Sequence, residues 1–284
     1  MTVVFPEFLI RKKLLEFLEE DLSIGDITNV PDCIAKAAII SKDNGVIAGV
    51  EVAKISFDIM NVKVLNSIED GSEIRYGDVV MEVEGKAKNI LMCERTVLNI
   101  LMRMSGIATT TAEMVEKAKR VNPGIIIAAT RKTMPGFRIF EKMAVSIGGG
   151  DTHRFSLGDC VLVKDNHIAV AGSLIEAIKF ARTASFTKKI EVEVKSIEDA
   201  LTAAREGVNI IMFDNMSPDE IREAVKILEK EGLREKIILE ASGGITPDNV
   251  EEYASTGVDV LSSGYITHSS KALDLSLRIT EVKR

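Results

Sequence analysis

The sequence predicts an α/β protein, with an N-terminal α+β domain followed by a barrel of parallel β/α units. Two observations predict it. From Ile125 onward, short β-branched runs alternate with longer amphipathic stretches, the rhythm of strands joined by crossover helices. Before Gly106, short β-type runs separated by turn signals lie between two helical patterns. The 284 residues suffice for one large domain or two unequal ones, and a 46% hydrophobic content is ordinary for a soluble globular chain.

The first pattern places Leu9, Ile10, Leu14, Leu15, Phe17, Leu18 and Leu22 at helical spacing, which predicts an amphipathic helix over 8–22. From Ala37 to about Glu84 the runs AAII, VKVL and DVVMEVE are punctuated by Asn44-Gly45, Asp70-Gly71 and Gly77-Asp78. They predict a small antiparallel layer. Helical periodicity returns over 89–104, with Leu91, Leu98, Leu101 and Met102 on one side. Strands are then expected at 125–130, 160–164, 190–194, 210–214, 237–242 and 258–263, with helices near 173–183, 197–206, 218–231 and 247–256. Ser217-Pro218 and Thr246-Pro247 open the last two helices as N-cap and first-turn pairs. So many units in a short span favour a closed or nearly closed barrel, and no G-x-G-x-x-G follows the first strand to suggest a dinucleotide fold.

Composition narrows the function. Charges or glycines interrupt every apolar run before the roughly 18 residues a membrane-spanning helix needs. The first residues, MTVVFPEFLIRKK, lack a basic leader and hold Pro6 and Glu7 among their apolar residues, so a cytoplasmic protein is expected. Three cysteines, Cys33, Cys93 and Cys160, are widely spaced with no second ligand at metal intervals, and read as reduced small residues. A net charge of −7, no Trp and three Tyr argue against nucleic acid as partner.

In β/α barrels the active site lies at the C-terminal ends of the strands. Here those ends carry Arg131-Lys132-Thr133, Lys164-Asp165-Asn166-His167, Glu193, Asp214-Asn215, Ser242-Gly243-Gly244 and Ser263-Gly264. Taken singly, Arg131-Lys132 could be a solvated pair, Glu193 and Asp214 partners of barrel lysines, and the glycines plain turns. Charges inside apolar strands are costly unless paired or used, so their alignment at one end implies a shared polar cavity. The glycine segments let backbone N–H groups approach an anion near a helix N-terminus, which suits phosphate. Gly148-Gly149-Gly150 ahead of His153 and Arg154 is either a third such nest or a flexible connection. Phosphates beside Glu193 and Asp214 suggest a divalent ion such as Mg²⁺; the three histidines, His153, His167 and His268, make a three-histidine zinc site an unfavoured alternative.

A set of ordered motifs also resembles a known family. E-R-T-V-L-N (94–99), S-G-I-A-T (105–109), T-R-K-T-M-P-G (130–136), G-G-G-D-T-H-R (148–154), K-D-N-H-I (164–168), E-V-E-V (191–194), F-D-N (213–215), A-S-G-G-I (241–245) and L-S-S-G-Y-I-T-H-S (261–269) resemble quinolinate phosphoribosyltransferase, as does E-D-L-S-I-G-D-I-T (20–28). The resemblance implies an N-terminal α/β sandwich domain, 1–106, joined by a C-terminal helix, 268–284, and an incomplete α/β barrel, 107–267. It implies conversion of quinolinate and phosphoribosyl pyrophosphate to nicotinate mononucleotide, pyrophosphate and CO₂ in NAD biosynthesis, with Mg²⁺, in a homodimer or higher oligomer with shared sites.

For single residues, the resemblance implies that Arg131, His153 and Arg154 hold the pyridine dicarboxylate, joined by Arg95 of a neighbouring subunit. Lys132 and Lys164 contact anionic groups, Glu193 and Asp214 face ribose and metal, and Ser242, Gly243, Gly244, Ser263 and Gly264 cradle phosphate. Two positions depart from the family pattern: Ala129 stands where an acidic residue is usual, and Thr152 where Asn is common. The ModD-like proteins linked to molybdate uptake operons share parts of these motifs; the intact K-D-N-H-I favours the biosynthetic enzyme.

Overall fold

A computed structural model describes residues 5–283. The reading of the first residues as lacking a leader therefore falls partly outside the described residues. The chain divides into two compact units, one comprising the segment up to Ala112, Thr133–Gly149 and Ser270 onward, the other Glu113–Lys132 and Gly150–Ser269. The division expected at 106/107 falls inside a helix, and Thr133–Gly149 groups with the first unit.

In the first unit, helix α1 (Glu7–Leu22) buries Ile10, Leu14 and Leu18, four residues apart on one stripe. Strand β1 (Ile34–Ser41) is followed by the short strand β2 (Gly45–Val46), helix α2 (Val50–Ile59), strand β3 (Lys63–Ser67), the short strand β4 (Glu73–Ile74) and strand β5 (Val79–Lys86). Helix α3 (Ala87–Val121) runs for 35 residues, straight through Gly106, where the sequence pattern changes. A Cβ at Gly106 would lie 2.1 Å from the Lys271 carbonyl oxygen, so this glycine marks a close backbone crossing. Helix α4 (Arg138–Ile147) also belongs here; Phe17, Phe137 and Phe140 meet in a tilted cluster with centroids 5.0–5.8 Å apart.

The C-terminal helix expected over 268–284 is not formed. Leu275–Lys283 is instead a strand, labelled β12 to follow the eleven before it, which pairs antiparallel with β1 in a four-stranded sheet of order β12-β1-β5-β3. The physical reason is the free edge of β1, whose N–H and C=O groups need partners. The segment supplies alternating Leu275, Leu277 and Ile279 with β-branched Thr280 and Val282. The ion pair Lys36–Glu281 (2.7 Å) ties β12 to its neighbour β1, and Lys283–Glu84 (2.6 Å) reaches across β1 to β5.

The second unit holds a parallel six-stranded sheet. Its strands are β6 (Ile126–Ala129), β7 (Val161–Val163), β8 (Ile190–Val194), β9 (Ile210–Asp214), β10 (Ile238–Ser242) and β11 (Val260–Ser263), in the order β6-β11-β10-β9-β8-β7. The edges β6 and β7 do not pair with each other, so the barrel is incomplete. Helices α5 (Asp165–Ala171), α6 (Leu174–Ala184), α7 (Ile197–Arg205), α8 (Pro218–Lys230), α9 (Val250–Ala254) and α10 (Tyr265–His268) form the connections. Ser173, Ser196 and Ser217 cap α6, α7 and α8 through their hydroxyls, and Glu220 completes a capping box on α8. Helix α9 starts at Val250 rather than 247, because Asn249 Oδ1 accepts from Thr246 N–H (2.8 Å) and holds a turn first. Among the described residues no helix is long and apolar enough to cross a membrane.

Candidate active site

Because every strand of the second sheet runs the same way, one end collects the residue that closes each run. A cavity of about 270 Å³ lies there, lined by Thr130, Arg131, Lys132, His153, Arg154, Lys164, Glu193, Asp214, Glu240, Ser242 and Ser262, with Ala129, Leu162 and Met212. The structure thus brings together most of the cations and both carboxylates expected from the sequence. Arg95 is not among them; it lines a different cavity of about 450 Å³ within the first unit, beside Phe17, Asn99 and Phe137.

Local chemistry explains how each side chain is held. The loop after Gly150 is stitched to β6: Asp151 N–H donates to Ile127 O (2.7 Å) and Ala129 N–H to Asp151 O (2.9 Å). Asp151 Oδ1 then accepts from His153 N–H (2.6 Å), and His153 adopts φ +50°, a left-handed conformation that histidine takes more readily than most side-chain-bearing residues. That turn carries His153 and Arg154 to the cavity. Lys164 closes β7 and caps α5; its Nζ donates to Glu193 Oε2 at 2.6 Å, while His167 Nδ1 accepts from the Lys164 N–H (2.9 Å). His167 therefore serves the helix start.

Asp214 Oδ1 accepts from Asn215 Nδ2 (2.9 Å), and Asn215 N–H donates across to Ser242 O (2.9 Å) with φ +55°. Gly243 has φ +97° and a Cβ there would sit 2.3 Å from Asn215 Oδ1, so only glycine lets the β9 and β10 ends meet. Ser263 is buried, donating to Ile245 O (2.6 Å) and accepting from Tyr265 N–H (3.2 Å). Its hydroxyl organises the turn before α10. Gly243, Gly244, Ser263 and Gly264 stand at the same strand ends but not on the cavity wall.

A deeper polar layer lies below. Glu191 and Glu240 are almost fully buried, and His153 Nε2 lies 3.1 Å from Glu240 Oε2 and 3.9 Å from Glu191 Oε1. Burial alone would lower the His153 pKa, but the hydrogen bond and charge of Glu240, with Glu191 behind it, hold it above the ordinary value against Arg154. Burial, reinforced by the charge of Glu240, pushes the Glu191 carboxyl up to about 7. Burial likewise raises the Cys160 thiol to about 11, so it is an unreactive thiol. Glu191 Oε1 and Arg154 Nε are buried without a hydrogen-bond partner among the described residues.

Sequence reasoning missed Glu240, Glu191, Thr130 and Ser262. The signal was present for the two acids, each a charge inside a buried strand run, but only the residue ending each run was inspected. For Mg²⁺ the donor set fits: Glu193 and Asp214 offer carboxylate oxygens from adjacent strands on the wall of one cavity.

A half-open parallel barrel with cations, carboxylates and glycine turns at its strand ends defines a site for anionic, phosphate-bearing substrates. The chain matches the family models "Quinolinate phosphoribosyl transferase, C-terminal domain" over residues 107–278 and "N-terminal domain" over 23–105. It belongs to the quinolinate phosphoribosyl transferase family. It is 60% identical over 257 residues to the probable nicotinate-nucleotide pyrophosphorylase [carboxylating] of Archaeoglobus fulgidus, covering 90% of this chain and 99% of that protein. It is 40% identical over 246 residues to the rat nicotinate-nucleotide pyrophosphorylase [carboxylating], covering 86% and 82%. Among solved structures it is similar to the nicotinate-nucleotide pyrophosphorylase from Francisella tularensis, with a TM-score of 0.90, 33% identity and 98% of each chain covered.

Proposed function

We propose that this protein transfers the phosphoribosyl group of phosphoribosyl pyrophosphate to the ring nitrogen of quinolinate, yielding nicotinate mononucleotide, pyrophosphate and CO₂ for NAD biosynthesis. The observation that carries this reading is the single cavity in which Arg131, Lys132, His153, Arg154 and Lys164 meet Glu193 and Asp214. Cations in a confined site suit an acceptor with two ring carboxylates, and the planar guanidinium groups suit bidentate pairing. Lys132 and Lys164 meet the anionic groups of the substrates. Backbone N–H groups around Ser242-Gly243-Gly244 and Ser263-Gly264 cradle the 5-phosphate.

As the bond from C1 of the ribose to pyrophosphate loosens, positive charge develops on the sugar. Glu193 or Asp214 beside it stabilises that charge. Lys164, 2.6 Å from Glu193, keeps the carboxylate aimed. Glu193 and Asp214 would hold Mg²⁺, whose charge would supply screening for the departing pyrophosphate. After transfer the ring nitrogen is cationic and stabilises the carbanion left when the 2-carboxylate departs as CO₂, so the cationic cavity only has to hold the remaining groups in place.

Arg95 acts from a neighbouring subunit of a homo-oligomer, and the protein works in the cytoplasm, where its three free cysteines stay reduced. The test is one assay with purified protein, Mg²⁺, phosphoribosyl pyrophosphate and carboxyl-labelled quinolinate. Labelled CO₂ and nicotinate mononucleotide are expected in equal amounts; turnover of another acceptor with no release of CO₂ would overturn the reading. For Arg95, Arg95→Ala and Arg131→Ala proteins, each inactive, regain part of the activity when their subunits are exchanged. Hybrids that form and stay inactive would remove Arg95 from the shared site.

A further inference from the structure

His153 belongs to the proposed acceptor site, yet its ring is not free to turn. Nε2 is 3.1 Å from Glu240 Oε2. Glu240 is 1% exposed, and its other oxygen, Oε1, accepts a 2.5 Å hydrogen bond from Ser262 Oγ on the next strand. A carboxylate gripped at both oxygens in a close-packed barrel cannot swing away from the imidazole. The backbone of His153 is fixed as well, by the Asp151 turn. With Nε2 engaged by Glu240, the nitrogen left to meet a ligand is Nδ1, which has no partner among the described residues.

We propose that Glu240 is the positioning residue for His153, fixing its ring with the Nε2 proton on the carboxylate so that Nδ1 is presented as a donor to a ring carboxylate of the acceptor. The proposal rests on the reading of the cavity as a dicarboxylate site. Its chemical logic is that an imidazole holding a single proton at Nε2 would offer a lone pair at Nδ1, which repels an anion; donation from both nitrogens requires the cation. The groups facing the ring supply that condition. Glu240 on β10 favours the cation, the neighbouring Arg154 opposes it, and Glu191 on β8 adds to the first only as far as it ionises. Glu191 in turn has Cys160 Sγ 3.8 Å from its Oε2. Glu240 thus acts on the acceptor through His153, as an outer partner orients a metal-ligating histidine.

Two measurements test this. The chain has three histidines, so ¹⁵N imidazole NMR resolves them, and the His153 signals are those lost in His153→Gln. Protons on both nitrogens are expected for His153 in the wild type, persisting to a higher pH than in Glu240→Gln. A ring with its proton on Nδ1 alone and a bare Nε2 would overturn the proposal, whatever the variants do. In kinetics, Glu240→Gln should raise KM for quinolinate about 10–100-fold, the loss of one charged hydrogen bond. KM for phosphoribosyl pyrophosphate stays near its wild-type value, and the pH above which quinolinate binding fails moves lower. Ser262→Ala shifts the same quantities in the same direction by less.

An equal rise in both KM values with a lowered Tm would assign Glu240 to packing, and an unchanged quinolinate KM and pH limb would remove it from recognition. Stoichiometric binding of Zn²⁺ or Mn²⁺ by the wild type, lost in Glu240→Gln, would make His153, Glu191 and Glu240 a metal site instead; they are close enough together to hold an ion. If wild-type protein releases no CO₂ from quinolinate, the functional reading falls on that result alone, and the NMR spectrum still decides how the ring is held.

Discussion

Glu193 and Glu191 stand two residues apart on β8 and therefore point to the same side of the sheet, one layer above the other. The upper acid reaches the cavity wall and is ion-paired with Lys164 at 2.6 Å. The lower acid is fully buried, has one oxygen without a hydrogen-bond partner, and faces a second acid, Glu240. The same side chain thus serves two purposes according to depth. At the strand end it pairs with a lysine on the cavity wall; one layer down it lies 3.9 Å from a buried imidazole.

Four changes probe that contrast. Glu193→Gln should lower kcat about 10²–10³-fold while the fold and most phosphoribosyl pyrophosphate binding persist, as for loss of one preorganised electrostatic contact. Near-normal kcat with a markedly lower melting temperature would reduce Glu193 to a partner of Lys164. Next comes acceptor choice: nicotinate, lacking the 2-carboxylate, leaves a cation of the upper layer unpaired, and kcat/KM should fall at least about 10–100-fold relative to quinolinate. Comparable values for the two acids would break the dicarboxylate reading.

The third change separates the layers by pH. Glu191 has a folded-state pKa of about 7, above the ordinary carboxylate value. The native state therefore holds a proton that the unfolded chain has released, so this group's contribution is fully present below the ordinary carboxylate range and declines as pH rises towards 7. Glu191→Gln should make the protein more stable than wild type at about pH 8, by on the order of 1–3 kcal/mol, with the advantage vanishing in acid. Denaturant melts at the two pH values check it; a pH-independent difference would mean that Glu191 stays ionised. The smallest effect is expected for Ser263→Ala, which loses a hydrogen bond to Ile245 O worth about 1 kcal/mol. KM for phosphoribosyl pyrophosphate should hold, because the phosphate contacts proposed there come from backbone N–H groups rather than from the hydroxyl.

The upper layer was legible because an ionisable residue closing an apolar run is conspicuous in sequence. Arg131, Lys164 and Asp214 met that description, Glu193 sits one residue before the end of its run, and all four share one cavity. Glu240 and Glu191 lie inside their runs, where an isolated acid has no local signature of the histidine it will meet from a distant loop. Strands β8 and β9 were legible to the residue, since buried parallel strands read as continuous apolar stretches. The terminal strand β12 was not, because its pairing is a property of the edge offered by β1 and not of its own nine residues. The seven-residue helix α5 is too short for a periodic signal, and its start depends on a cap supplied by Lys164 and His167.

Gly106 has a bearing on engineering. Helix-propensity rules single it out as an obvious improvement, since glycine inside a helix costs about 1 kcal/mol relative to alanine. At this point, however, the returning chain presses its Lys271 carbonyl against the helix, and two residues later Leu273 N–H donates to the helical Met102 O (3.0 Å). A methyl group at 106 would pry that crossing apart, at the place where the chain turns into β12. A stabilisation campaign guided by local preference alone would therefore choose the substitution that loosens the seam holding the last strand in the first unit.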